Sequence, residues 1–183
     1  MNNTASAVQI IPATESHISS FRDCLDSVAR ERKYIGFIEA PPFEAVREFV
    51  VSNFINGNSL QFLAVSGDQV IGWCDILVGS RPGFTHSGLL GMGIMQSFRG
   101  MGIGRKLLAA ALDNARAKNL ERIELEVFAS NKVAIKLYER AVSSWKASKK
   151  NRGSSTGFMK TRFAWRCCLS NLFDPNNSKN NHP

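Results

Sequence analysis

Apolar residues recur in two periods along the chain, and the switches between them mark out its elements. Residues 8–11 form a short apolar strand that Pro12 ends. From residue 17 to 29, Ile18, Phe21, Leu25 and Val28 follow a helical spacing, with the Thr14 and Ser16 hydroxyls as N-cap candidates. Pro41-Pro42 opens a second helix that turns Phe43, Val46, Phe49, Val50 and Phe54 inward and closes near Asn56-Gly57. Two strands follow, 61–66 and 70–78, joined by Gly67-Asp68. A link this short predicts an antiparallel hairpin. Residues 81–84 read as loop and 89–95 as a buried strand. A helix starts after Gly104 and runs to about residue 118, with Leu107, Leu108, Ala111, Leu112 and Ala115 on one face. Ile123, Leu125 and Val127 then alternate with Glu124, Glu126 and Phe128 as a strand, and residues 131–140 form a last helix carrying Ala134, Ile135, Leu137 and Tyr138. A hairpin followed by strand, helix, strand, helix predicts an α/β (α+β) chain with a mixed sheet.

Composition narrows this without redirecting it. The chain has 183 residues, 44% hydrophobic and 21% charged, which suits one folded domain and excludes a disordered or collagen-like chain. No apolar run approaches the roughly 18 residues of a membrane helix. The start, Met1-Asn2-Asn3-Thr4, lacks the basic-then-apolar layout of a signal peptide, so a cytoplasmic protein off the membrane is expected. Cys24, Cys74, Cys167 and Cys168 have neither metal-ligand spacing nor a secreted-type framework and read as reduced thiols. The formal charge of +8 is lopsided: residues 141–183 hold 8 Lys+Arg against Asp174 alone, while the rest is nearly neutral.

The informative chemistry lies between the buried strand and the long helix, in Gln96-Ser97-Phe98-Arg99-Gly100-Met101-Gly102-Ile103-Gly104-Arg105. Alternate glycines bend the chain tightly and leave its N–H groups unshielded. With the free amides and dipole of a helix start, they make a seat for phosphate oxygens. The Walker pattern is absent. The dinucleotide fingerprint also fails, because Gly102-Ile103-Gly104 puts Leu107, and Gly91-Met92-Gly93 puts Gln96, where its last glycine belongs.

Arg99, Gly102 and Gly104 do spell Arg-x-x-Gly-x-Gly. Leu125-Glu126-Val127, Asn131, Ala134, Leu137-Tyr138 and Glu139-Arg140-Ala141 follow in order. Together these blocks resemble the GCN5-related N-acetyltransferases (GNAT), nearest the branch of ribosomal-protein alanine and phosphinothricin-type enzymes. The resemblance implies a mixed, mostly antiparallel sheet splayed between strands four and five, with helices on both faces. It also implies transfer of an acetyl group from acetyl-CoA to a primary amine by direct attack in a ternary complex. The pantetheine arm would lie along Met92, Gly93 and Ile94, and the pyrophosphate on Arg99, Gly100, Met101, Gly102, Ile103, Gly104 and Arg105, with Asn131 and Tyr138 also touching the cosubstrate. Tyr138 matches the family's general acid; its phenol pKa of about 10 lies above the thiol's, about 8.5. Glu126 matches the base of the ribosomal-protein enzymes, with Asp75 and Glu39 as fallbacks. Phe37, Trp73 and Phe84 are candidates to line the acceptor site. No metal is implied. The acceptor is a small-molecule amine or a protein N-terminus, and a homodimer is admitted.

After Ala141 the chain departs from the family, whose members continue with Gly-Phe and two further strands. Residues 1–141 are thus expected to form the acetyltransferase domain, and 142–183 an atypical basic tail replacing those strands and exposing strand five as an edge. Codons for Phe158-Met159-Lys160-Thr161, read one base out, can encode Val-Tyr-Glu-Asp, and those for Ala164-Trp165-Arg166 can hide Met-Ala. A frameshift near Ala141 accounts for this, and the encoding DNA tests it. Two alternatives stay open: an acyl-CoA-binding protein whose catalysis the tail impairs, and a nucleic-acid-binding protein using the basic tail, although no RNA-module pattern of interleaved aromatic and basic residues is present.

Overall fold

Among the described residues, seven strands form one mixed sheet in the order β1-β2-β3-β4-β5-β7-β6: β1 (Gln9–Pro12), β2 (Leu60–Ser66), β3 (Gln69–Val78), β4 (Ser87–Ile94), β5 (Arg122–Phe128), β6 (Lys146–Arg152) and β7 (Lys160–Arg166). The structure, a computed structural model, describes residues 7–55, 57, 59–81, 84–142, 146–152 and 160–166. Asn56, Pro82, Gly83, Cys167, Cys168 and Asp174 lie outside the described residues. The β2–β3 pair is the antiparallel hairpin that Gly67-Asp68 predicts, with Ser66 opposite Gln69 and Gly67 at φ 59°.

Helices α1 (Ile18–Ala29) and α2 (Phe43–Val50) cover one sheet face, while α3 (Ile103–Ala117) and α4 (Lys132–Val142) cover the other. Strand alternation sorts the side chains between them. Leu63, Val65, Val70 and Trp73 pack under α1 and α2, whereas Ala64, Cys74, Ile76, Leu90, Ile123, Leu125 and Val127 pack under α3 and α4. Burying all five stripe residues of α3 fixes that helix across β2 and β3. Among the described residues, no helix is long and apolar enough to cross a membrane.

Three expectations are corrected. Thr14 does not cap α1. Residues Glu15–His17 form a 3₁₀ turn first, and the Thr14 Oγ1 bonds Ser16 Oγ at 2.9 Å and His17 Nδ1 at 2.7 Å, a local bond competing with the cap. The second helix leaves α geometry at Val51 for a π-helical turn, Val51–Ile55, before reaching Phe54. Strand five is not an edge, because β7 pairs with it antiparallel over its whole length and β6 pairs with β7. An open β5 edge offers a full row of unpaired amides and carbonyls to any extended segment. Thr161, Phe163 and Trp165 alternate with Lys160, Arg162, Ala164 and Arg166, a period of two that suits a strand. The outer strand is rich in lysine, a composition that blunts a sheet edge.

The decisive feature is the junction of β4 and β5. They pair in parallel only at Ser87–Arg122, Gly88–Ile123 and Leu89–Glu124. Beyond this point β4 stays bonded to β3 as far as Ile94–Gly72, and β5 to β7 as far as Phe128–Lys160. The two strands therefore part, and residues 90–94 of β4 face residues 125–128 of β5 across an unpaired gap.

Candidate active site

At the end of β4 the chain makes a 3₁₀ turn, Gln96–Phe98, and then the glycine turn leading into α3. Gly100 and Gly102 adopt φ +80° and +78°, and an added Cβ would meet nothing within 4 Å at either position. Glycine is needed here for the left-handed backbone rather than for lack of room. Among the described residues, no backbone carbonyl takes the amides of Gly100, Met101, Gly102, Ile103 or Gly104. Gly104 has a different reason. A Cβ there would sit 3.2 Å from Leu137 Cδ2 and 3.3 Å from Ile94 Cδ1, so its absence lets α3 begin close against β4 and α4. The result is a row of open amides at a helix N-terminus, directly above the β4–β5 gap, which is the donor set a diphosphate needs.

The Arg99 side chain turns elsewhere. Its Nη1 and Nη2 donate to Glu31 Oε2 and Oε1 at 2.8 and 2.5 Å, and its Nε donates to the Ile94 carbonyl at 2.9 Å. The guanidinium also lies 4.7 Å above the Tyr34 ring. Arg99 thus ties the end of α1 and the loop after it to the last residue of β4.

Tyr138 projects from α4 into the core beside Cys74, Leu90 and Leu125 and is 5% exposed. Burial, reinforced by Cys74 and Asp75, holds its phenol well above the usual range. Asn131 Oδ1 accepts the Ala134 amide at 3.2 Å, so this side chain caps α4. Met92 and Ile94 turn toward α3, while Gly91 and Gly93 lie on the other sheet face, where Trp73 and Asp75 cover them. Glu126 is exposed on that same face of β5. Glu39 is exposed and pairs with Arg30 at 3.5 Å. Phe37 and Phe84 are exposed, whereas Trp73 is core, edge-on to Phe21 at 5.7 Å.

The model of the acetyltransferase (GNAT) family matches residues 22–142. The chain belongs to this family. N-alpha-acetyltransferase 30 of Schizosaccharomyces pombe is 34% identical over 80 residues, 43% of this chain and 53% of that protein. The chain spans about half the length of the curated relatives it matches first. Among solved structures, a ribosomal-protein-alanine N-acetyltransferase from Brucella melitensis superposes with a TM-score of 0.74 at 19% identity, covering 86% of this chain and 99% of the other. The structure of yncA from Salmonella typhimurium with its cofactor acetyl-CoA gives a TM-score of 0.77 at 15% identity, covering 93% and 99%. At such identities these likenesses establish the GNAT fold.

Within the GNAT frame, the structure brings the glycine turn, Met92 to Ile94, Asn131 and Tyr138 around the end of one gap. Two features escape a reading of sequence. One is the Glu31–Arg99–Tyr34 cluster. The other is a polar pair on the α1–α2 face: Gln61 of β2 stands directly opposite Asp75 of β3. Gln61 is 5% exposed, and neither its Oε1 nor its Nε2 has a hydrogen-bond partner.

Proposed function

We propose that this chain is an acetyl-CoA-dependent N-acetyltransferase acting in the cytoplasm on a primary amine, either of a small molecule or of a protein N-terminus. The observation that carries the reading is the coincidence of two features at one place. The open amides of residues 100–104 sit at the end of the gap where β4 and β5 part. Phosphate oxygens fit the first, and an extended amide-bearing arm, bonding to the unpaired edge of β4 near Met92 to Ile94, fits the second. The bound cosubstrate supplies an activated acetyl thioester.

The protein's own groups then have definite tasks. The glycine-turn amides bind and orient the diphosphate end. Arg99 contributes its backbone to that turn, while its side chain holds the acceptor-side loop through Glu31 and Tyr34. Buried Tyr138 keeps its proton across the neutral range, as a donor to a departing thiolate must. Glu126, on the acceptor face, is placed to receive a cationic amine as it enters. β7 pairs along all of β5, so the strand on that side of the gap has a neighbour to hold it.

Calorimetry with acetyl-CoA, followed by thiol release with a panel of amines, tests the reading. Binding with turnover is expected. Tyr138→Phe should lower kcat about 100-fold while leaving acetyl-CoA affinity nearly unchanged. Equal kcat in the variant would remove Tyr138 from the mechanism.

A further inference from the structure

Asp75 lies on the third strand of the sheet, directly opposite Gly91 of β4 on one side and Gln61 of β2 on the other. Gly91 is where β4 has just lost β5 as a neighbour, since their pairing ends at Leu89–Glu124. The Asp75 carboxyl leans over β4 at this point: a Cβ on Gly91 would meet its Oδ1 at 2.7 Å. Only the hydrogen of glycine leaves that space to the carboxylate, which therefore reaches toward the gap. Asp75 keeps part of its surface open, unlike its neighbours Cys74 and Ile76. Opposite it, the Gln61 amide is buried with donor and acceptor both unmet. Leaving such a group unpaired in a core is costly, and a polar group entering beside Asp75 would relieve that cost.

We propose that Asp75 and Gln61 form the pocket for the acceptor's ammonium group, with Asp75 as the proton acceptor that readies the amine and Gln61 the amide that bonds its N–H. This rests on the acetyl-CoA reading above and deepens it, and it moves the base from Glu126 to a carboxyl on β3. An N–H bond of the ammonium breaks and an O–H bond forms on Asp75. The freed nitrogen lone pair then bonds the thioester carbonyl carbon, and the C–S bond breaks. Its electron pair leaves on sulfur, which takes the Tyr138 proton. The nitrogen's surplus proton returns to the phenolate, and Asp75 releases its own to solvent. One amide, one thiol and one proton result.

Burial lifts the Asp75 carboxyl to a pKa of about 7, against the lowering effect of the Gly91 amide and the Trp73 side chain. A base poised there is half available at neutral pH and returns its proton readily. The charged and titratable groups around it are Cys74 beside it, Tyr138 from α4, and, on the same face of β5, Glu126 and the Glu124 carboxylate that Arg122 pairs. The Asp75 charge raises the Tyr138 phenol further, so the acid on one face of the sheet and the base on the other are electrostatically coupled.

The test uses the full chain with ethylamine, benzylamine and trifluoroethylamine as acceptors, following thiol release against pH, with acetyl-CoA affinity measured calorimetrically for each variant. Asp75→Asn should lower kcat/KM for ethylamine about 100-fold and abolish the acid limb of its pH profile. It should affect trifluoroethylamine little, because that amine is already neutral at pH 7. Gln61→Met should raise KM for all three amines, leave acetyl-CoA affinity unchanged, and melt at a higher temperature than wild type. The proposal is overturned if Asp75→Asn keeps the acid limb, above all if Glu126→Gln loses it. It is equally overturned if wild type binds acetyl-CoA yet releases thiol with none of the three amines. Absence of any heat with acetyl-CoA would instead strike down the underlying cosubstrate reading, and the pocket with it.

Discussion

Replacing Arg99 by methionine removes a cation that holds three separate pieces of chain together. Its guanidinium donates twice to Glu31 and once to the Ile94 carbonyl, and it stacks on Tyr34. Hydrogen bonds to charged groups contribute about 1.5–3 kcal/mol each when buried, whereas exposed ion pairs contribute about 0–1 kcal/mol. Here the side chains are 30% and 17% exposed, between those limits. Methionine preserves most of the stem packing but leaves the Glu31 carboxylate and the Ile94 carbonyl without their donor. We therefore expect Arg99→Met to cost about 2–4 kcal/mol, and Glu31→Gln, which keeps one neutral partner, about 1–2 kcal/mol. Urea unfolding of both variants and the double variant measures this, and the double should cost less than the sum, because the two side chains meet. Acetyl-CoA affinity should fall only modestly in Arg99→Met while the acceptor KM rises, since the side chain holds the loop carrying Glu31 and Tyr34, which the proposed function puts on the acceptor side. A loss below about 0.5 kcal/mol, or additive effects in the double variant, would refute the clamp.

Further outcomes follow from single positions. Gly102→Ala keeps φ near +78° in open space, so strain alone should cost about 1–2 kcal/mol, with weaker acetyl-CoA binding by calorimetry. Gly93→Ala drives a Cβ into the Trp73 ring. It should cost at least about 1–3 kcal/mol by chemical unfolding and alter the near-ultraviolet signal of the Phe21–Trp73 contact. For Asp75, the folded pKa of about 7 lies above the ordinary 3.8, so the native state holds the extra proton. That contribution is complete below pH 3.8 and is lost as pH rises through 7. Wild type should therefore lose stability relative to Asp75→Asn between about pH 4 and 7, with a level difference above pH 8, read as melting temperatures. An opposite slope would contradict the desolvated carboxyl.

The parts legible in the sequence are those set by local periodicity. The α1 stripe of Ile18, Phe21, Leu25 and Val28 is buried in full, as are Leu107, Leu108, Ala111, Leu112 and Ala115 on the stripe of α3. The Gly67-Asp68 turn sets the first β2–β3 pairs, Ser66–Gln69 and Val65–Val70, before a bulge at Ala64–Val65 shifts the register, and the spacing from Gly102 to Gly104 marks the turn in which Gly102 adopts φ +78°. What sequence hid depends on distant partners. Lys146–Arg152 has no apolar face, and it becomes a strand because β7 offers it an edge. Arg99 finds Glu31 across 68 positions, so a pattern that names Arg99 as a cosubstrate residue says nothing of where its guanidinium goes. In sequence Asp75 reads only as a fallback base and Gln61 as an ordinary strand amide, until pairing beyond the Ala64–Val65 bulge sets them face to face. Glu126, by contrast, sits on the side that alternation assigns to it, opposite Leu125 and Val127, yet that side is open to solvent.

In the proposed function the amides of residues 100–104 grip the diphosphate of acetyl-CoA, and its acyl-bearing arm lies between β4 and β5. A crystal structure with coenzyme A tests it most directly. Phosphate oxygens are expected within hydrogen-bonding distance of the Gly100–Gly104 amides, with a pantetheine arm running past Met92 to Ile94 toward Tyr138. A nucleotide seated anywhere else on the molecule would contradict it.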